Sequence, residues 1–165
     1  MDMPPANWSL IAAILAVLLA CRPEEMRDST QDYFPWIADT ITGLCQVCMA
    51  NNGHLPTAIP PHSHRPLPLV QICHGSPGIL ILLACARHNS HLFPRYWRPE
   101  WDQATRLATE RVWEEGLLSK GGSLCHGIAG NAWPLLLLHD RFEYGDETEA
   151  PKGDSGKHSQ TAGGG

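Results

Sequence analysis

Two short stretches of this sequence carry the residue types that metal and thiol chemistry needs. They are Cys73-His74-Gly75-Ser76-Pro77-Gly78 and Cys125-His126-Gly127-Ile128-Ala129-Gly130, both of the form Cys-His-Gly-x-x-Gly. Thiolate sulfur and imidazole nitrogen are donors that suit zinc. A Cys held at a helix N-terminus has its pKa lowered, and the thiolate is the form that binds a metal. Four candidate ligands follow: Cys73, His74, Cys125 and His126. A site using all four is closed and structural. A site using three keeps one position open, and a substrate thiol placed there becomes a nucleophile at neutral pH, the thiol analogue of zinc-bound hydroxide. One Cys-His-Gly alone reads as a packed small residue beside a helix cap, since free Cys is among the most buried residue types. The second copy, with the same glycine spacing, reverses that reading and favours a built site.

These residues need elements to hold them. Two glycines three apart let the chain turn sharply from a connection into a helix. Each copy precedes an apolar run, so the sequence predicts successive helical hairpins carrying the same loop. No stretch shows the sustained alternation of a half-buried strand, and the predicted class is all-α. Ile37, Ile41, Leu44 and Cys48 share one face of a helix that Pro35 can start and Asn51-Asn52-Gly53 stops. Further helices are predicted over Pro77–His88, over Pro99–Leu118 with Trp101, Ala104, Ala108 and Val112 inward, and from Ile128. Residues 53–72 hold Pro56, Pro60, Pro61, Pro66 and Pro68, which predicts a long extended connection. From Gly145 no large apolar residue remains to be buried, so a disordered tail is expected. The predicted division is an N-terminal helix and linker over 1–34, a zinc-binding segment over 35–144 and a tail over 145–165.

Composition narrows the classes of function. With 165 residues the chain is long enough for one core, and 43% hydrophobic against 18% charged residues excludes disorder for most of it. A net charge of −5 with no basic face argues against nucleic acid and against acidic membrane surfaces. The apolar run Ser9 to Cys21 is shorter than the roughly 20 residues of a membrane span, and Met1 to Trp8 has no Lys or Arg as an export signal would. It is read as a buried helix, which places the chain in the cytoplasm with reduced cysteines. The alternatives are a peripheral position at the plasma membrane, or export with disulfides behind a signal. Cys45, Cys48 and Cys85 are read as core, His62 and His64 as loop residues, and Trp97, Trp101, Trp113 and Trp133 as helix anchors.

The chain resembles the lanthionine synthetase C-like (LanC-like) family. Gln71 to Gly78 is similar to that family's Cys-His-Gly-x-Pro-Gly motif, and Gly116 to Ala132 is similar to a longer and more specific signature. Asn52 to Pro60 resembles a family connection, and the resemblance covers about residues 35–142. It implies an α/α-barrel, or toroid, of helical hairpins with zinc at its mouth, held by Cys73, Cys125 and His126. His74 is then outside the ligand set, supporting the loop or meeting substrate, and Lys120 meets the carboxylate of a glutathione thiol substrate. The implied reaction adds a zinc-activated thiol, from glutathione or a peptide cysteine, to a dehydroamino acid in a peptide or protein, giving a thioether.

The resemblance also has departures. Leu10 to Ala20 resembles the helix after an earlier family His-Gly-x-x-Gly motif, whose His is proposed to move a proton, yet Met1 to Ser9 contains no His. After Phe142 the family pattern ends. The chain is therefore expected to be an incomplete barrel segment, exposing apolar faces such as Leu135 to Leu138 and prone to self-association. Pro134 is expected to be tolerated only if its helix begins within the few residues before it. The alternative to an enzyme is an inactive zinc- or glutathione-binding interaction module, or a truncated fragment.

Overall fold

The computed structural model describes residues 8–22, 26, 31–56, 69–116 and 121–144. They form helices and no strand: α1 (Trp8–Cys21), α2 (Phe34–Ala50), α3 (Ser76–His88), α4 (Phe93–Tyr96), α5 (Pro99–Glu115) and α6 (Ile128–Tyr144). Proline stands in the first turn of α2, α3, α4 and α5, where its missing N–H leaves no intrahelical bond unmade. At the end of α2, Asn51 bonds the carbonyls of Val47 and Cys48, and Asn52 and Gly53 turn the chain with positive φ.

The predicted stripes are the buried ones. Ile37, Ile41, Leu44 and Cys48 of α2 face inward, as do Trp101, Ala104, Ala108 and Val112 of α5. Helix α3 is the centre of the fold, packing against α1, α5 and α6. Its Ile79, Leu80, Leu82 and Leu83 are wholly buried, each contributing roughly 1.5–3 kcal/mol through removal from water. Helices α2 and α5 are pinned through Thr42. Its hydroxyl donates to the Ala38 carbonyl at 2.8 Å and accepts from the Trp101 indole at 3.0 Å and the Arg98 guanidinium at 3.1 Å. That uses the full capacity of one hydroxyl, so a buried polar group sits in the core without an unmade bond.

The run read as a buried helix is α1. It sets Ala12, Ala16 and Leu19 into the core and leaves Leu10, Ile14 and Val17 more than half exposed. Among the described residues no helix is long and apolar enough to cross a membrane. Four details correct the sequence reading. Helix α5 stops at Glu115 rather than Leu118, because Gly116 takes the capping position with its N–H on the Val112 carbonyl. Helix α6 runs through Pro134, six residues past its start, with the ring fully buried, so packing overrides the missing N–H. Of the leucines on α6, Leu138 is buried and Leu136 is exposed, so that face is partly covered. Cys85 is half-buried rather than sealed in the core. His62, His64, Lys120 and the tail from Gly145 lie outside the described residues.

Candidate metal centre

Each copy of the repeat is a loop locked onto the start of a helix. In the first, Gln71 and His74 exchange backbone hydrogen bonds, both 3.1 Å, which closes a tight loop with Cys73 inside it. Gly75 follows at φ +126, and a Cβ there would collide with the Leu69 carbonyl, so only glycine fits the turn into α3. In the second copy, the Ile128 N–H bonds the Gly121 carbonyl at 3.1 Å, and the His126 N–H bonds the Ser123 hydroxyl at 3.3 Å. Gly130, one turn into α6, lets the Leu124 carbonyl lie directly against its backbone. Both loops thus present their side chains just ahead of a helix N-terminus.

The two loops meet. The sulfurs of Cys73 and Cys125 and a ring nitrogen of His126 all lie within 4.8 Å of one another. The Cys125 Sγ stands 3.7 Å from His126 Nε2. With zinc–sulfur and zinc–nitrogen bonds of about 2.3 and 2.0 Å, two ligands of a tetrahedral zinc lie about 3.6 Å apart. The donor set and its spacing therefore fit a three-ligand metal site. Cys73 is half-buried, while Cys125 and His126 are exposed, so a fourth group can approach from solvent. His74 stands outside this trio. Its backbone closes the first loop, and its Nδ1 is buried without a hydrogen-bond partner among the described residues.

The lanthionine synthetase C-like protein family matches residues 12–153. The chain belongs to this family. Within its LanC-like segment it is similar to "Glutathione S-transferase LANCL1" of Danio rerio, at 32% identity over 106 residues. That alignment takes in 64% of this chain and 24% of the Danio rerio protein, so the LanC-like chain spans about a quarter of that relative's length.

Of the other thiols of this LanC-like protein, Cys21 is exposed, while Cys45, Cys48 and Cys85 are placed for packing. Cys45 and Cys48 are fully buried on α2. Burial pushes the Cys48 thiol up to about 12 and raises that of Cys45 as well, with the neighbouring Cys48 adding to the effect. Neither is a thiolate at neutral pH, which agrees with the core reading of Cys45-x-x-Cys48. The Cys85 thiol is also raised, chiefly by burial.

One residue that bonds to the segments flanking the site was not singled out by the sequence reading. Asn131, 3% exposed, donates through Nδ2 to the Val70 carbonyl at 3.1 Å and to the Gly116 carbonyl at 2.7 Å. Separately from the site, a cluster lies beside α5, where His54 Nε2 stands 3.4 Å from Glu115, and Arg111 reaches Glu115 at 3.0 Å and Glu114 at 2.7 Å. The signal for Asn131 was present in the repeat itself. After the shared Cys-His-Gly-x-x-Gly, the first copy continues with Ile79 and the second with Asn131. A polar residue in place of a fully buried Ile marks a position whose hydrogen bonds matter.

Proposed function

We propose that this chain carries the zinc centre of a LanC-like protein, and that the centre promotes addition of a thiol to a dehydroamino acid. The observation that supports this reading is the convergence of Cys73, Cys125 and His126 from two loops. These three residues hold the metal, which when bound supplies the positive charge that favours thiolate over thiol at neutral pH. The segment belongs to an α/α-barrel of helical hairpins, with the trio at its mouth. The thiol substrate is glutathione or a peptide cysteine, and Lys120 meets a carboxylate of glutathione. In the reaction, the sulfur bonds to Cβ of the dehydroamino acid, the Cα–Cβ double bond becomes single, and a proton is added at Cα. The exposed Cys125 and His126 leave the approach open to both partners, and the cytoplasm, with glutathione at hand, is the compartment this chemistry suits.

A second reading is a zinc- or glutathione-binding module without turnover. It is favoured by the makeup of the trio, whose three members are all metal ligands in this reading and leave none to move the proton that addition places at Cα. One experiment separates the two. Metal content is measured on the purified chain and on Cys125→Ala, and the zinc-loaded chain is then incubated with glutathione and a dehydroalanine peptide. Stoichiometric zinc that is lost in Cys125→Ala, together with a thioether product by mass spectrometry, is the expected result. Zinc without thioether selects the module, and a chain that binds no metal sinks the zinc-dependent enzyme and the zinc-binding module alike.

A further inference from the structure

We propose that Asn131 is a positioning residue that sets the metal-binding geometry by clamping the two cysteine loops together, an inference that rests on the metal-centre reading above. The two halves of the site come from segments far apart in sequence, and the trio forms only if the loops are held in one register. Asn131 is the side chain that does this. It stands on α6, one turn past Gly127, and its two amide hydrogens go to two different segments. One reaches the carbonyl of Val70, three residues before Cys73. The other reaches the carbonyl of Gly116, at the end of α5 and ahead of the second loop.

Asn131 is buried and both its amide donors are used, so its position is fixed rather than adaptable. Its Oδ1 is buried without a partner among the described residues. A side chain that merely filled space at this position would be the Ile of the first copy, which leaves no polar atom unmet. The amide therefore earns its place through the two donated bonds. Both of its side-chain donations go to backbone carbonyls, so it acts through the loops and not on the metal or substrate. Outer supports of this kind change metal affinity by roughly 10–100-fold when removed.

Cobalt(II) titration of the full chain tests this, because thiolate–cobalt absorption reports both affinity and coordination geometry. The wild type is expected to show thiolate charge-transfer bands with the intense visible bands of a tetrahedral site. In Asn131→Leu, of similar volume but without donors, cobalt binding is expected to weaken roughly 10–100-fold and the visible bands to lose intensity. Thr42→Val, which removes a buried hydroxyl between α2 and α5, is expected to lower thermal stability while leaving cobalt affinity unchanged. A folded Asn131→Leu that binds as tightly as wild type with the same spectrum overturns the proposal, as does an equal loss of affinity in Thr42→Val. If Asn131→Leu does not fold, Asn131→Ser serves instead, since its single hydroxyl donates to one carbonyl at most: weakened binding supports the clamp and wild-type binding overturns it. A wild type with no thiolate–cobalt bands removes the metal centre itself, and the clamp with it, a result distinct from equal binding by wild type and variant.

Discussion

The Ser76 hydroxyl donates to the Gly53 carbonyl at 2.7 Å, joining the first residue of α3 to the turn that ends α2. Ser76 is fully buried and the two residues lie 23 positions apart, with the proline-rich connection between them. The bond fixes where α3 begins, and Cys73 sits three residues earlier. Ser76→Ala removes the donor and leaves a buried carbonyl unmet, a loss of about 1–3 kcal/mol. Chemical denaturation is expected to show a lower midpoint with an unchanged slope. A midpoint equal to wild type would show that the carbonyl finds another partner at no cost.

The turn at Gly53 also positions His54, and there the structure predicts a dependence on pH. Burial lowers the His54 pKa; the Glu115 carboxylate pulls it part of the way back and Arg111 adds to the lowering. Protonation would add a second ring N–H, and Nδ1 is buried with no partner among the described residues to receive it. The folded pKa lies below the unfolded value of about 6.5, so the unfolded chain takes up the proton first. The His54 contribution is therefore complete above about pH 6.5 and is lost as pH falls through the lower folded pKa. Thermal melts from about pH 7.5 down to about pH 5 should show wild type losing stability more steeply than His54→Gln. Parallel slopes in the two proteins would sink the assignment.

How much of this was written in residue types can be judged from individual positions. Ile37, Ile41, Leu44 and Cys48 carry a side-chain period, and a period is what burial of one helix face produces, so α2 was legible. The repeated loop offers Cys73, His74, Cys125 and His126 alike, and it is the family resemblance that implies the three whose donor atoms the structure brings within 4.8 Å of one another. Helix α4 was missed: four residues with a proline among them are too few to show any period. The stop at Glu115 was missed because Leu117 and Leu118 extend the apolar count, while a helix end is set by how its last carbonyls are bonded. Asn131 and Ser76 belong to a different case. Their partners are carbonyls of Val70, Gly116 and Gly53, and every residue has a carbonyl, so no pairing of side-chain types could announce them. His74 shows the converse, since its type matches a ligand while its ring stands outside the trio.

Thiol reactivity is expected to distinguish the cysteines of the proposed metal site from the packed ones. Cys21 and Cys125 are exposed, Cys73 and Cys85 half-buried, and Cys45 and Cys48 fully buried with raised pKa. In metal-free protein a thiol reagent is expected to consume Cys21 and Cys125 first and Cys45 and Cys48 last, following access and thiolate fraction. Zinc loading should remove Cys125 from the fast phase and slow Cys73, leaving Cys21 unaffected. A chelator should restore both. Peptide mapping of the labelled sites checks each assignment; equal labelling of Cys125 with and without zinc would place the metal elsewhere.

Two glycines with opposite surroundings give opposite predictions for the same substitution. Gly43 lies in the middle of α2, and a Cβ there meets nothing within 4 Å. Gly43→Ala should raise stability by about 0.5–1 kcal/mol, since alanine loses less backbone entropy on entering a helix. Gly130 also lies in a helix, yet a Cβ there would strike the Leu124 carbonyl and press on the Ile72 side chain at 3.1 Å. Both neighbours adjoin cysteines of the proposed metal site in sequence, Leu124 beside Cys125 and Ile72 beside Cys73. Backbone contact of that kind cannot be relieved by a rotamer change, so the loops must part from α6. Gly130→Ala is thus expected to lower both the melting temperature and the affinity for zinc, whereas Gly43→Ala raises the first and leaves the second unchanged. Calorimetry and a competitive zinc titration on the two variants check this. Unaltered zinc affinity in Gly130→Ala would mean that the close approach of the second loop to α6 has no part in holding the trio together.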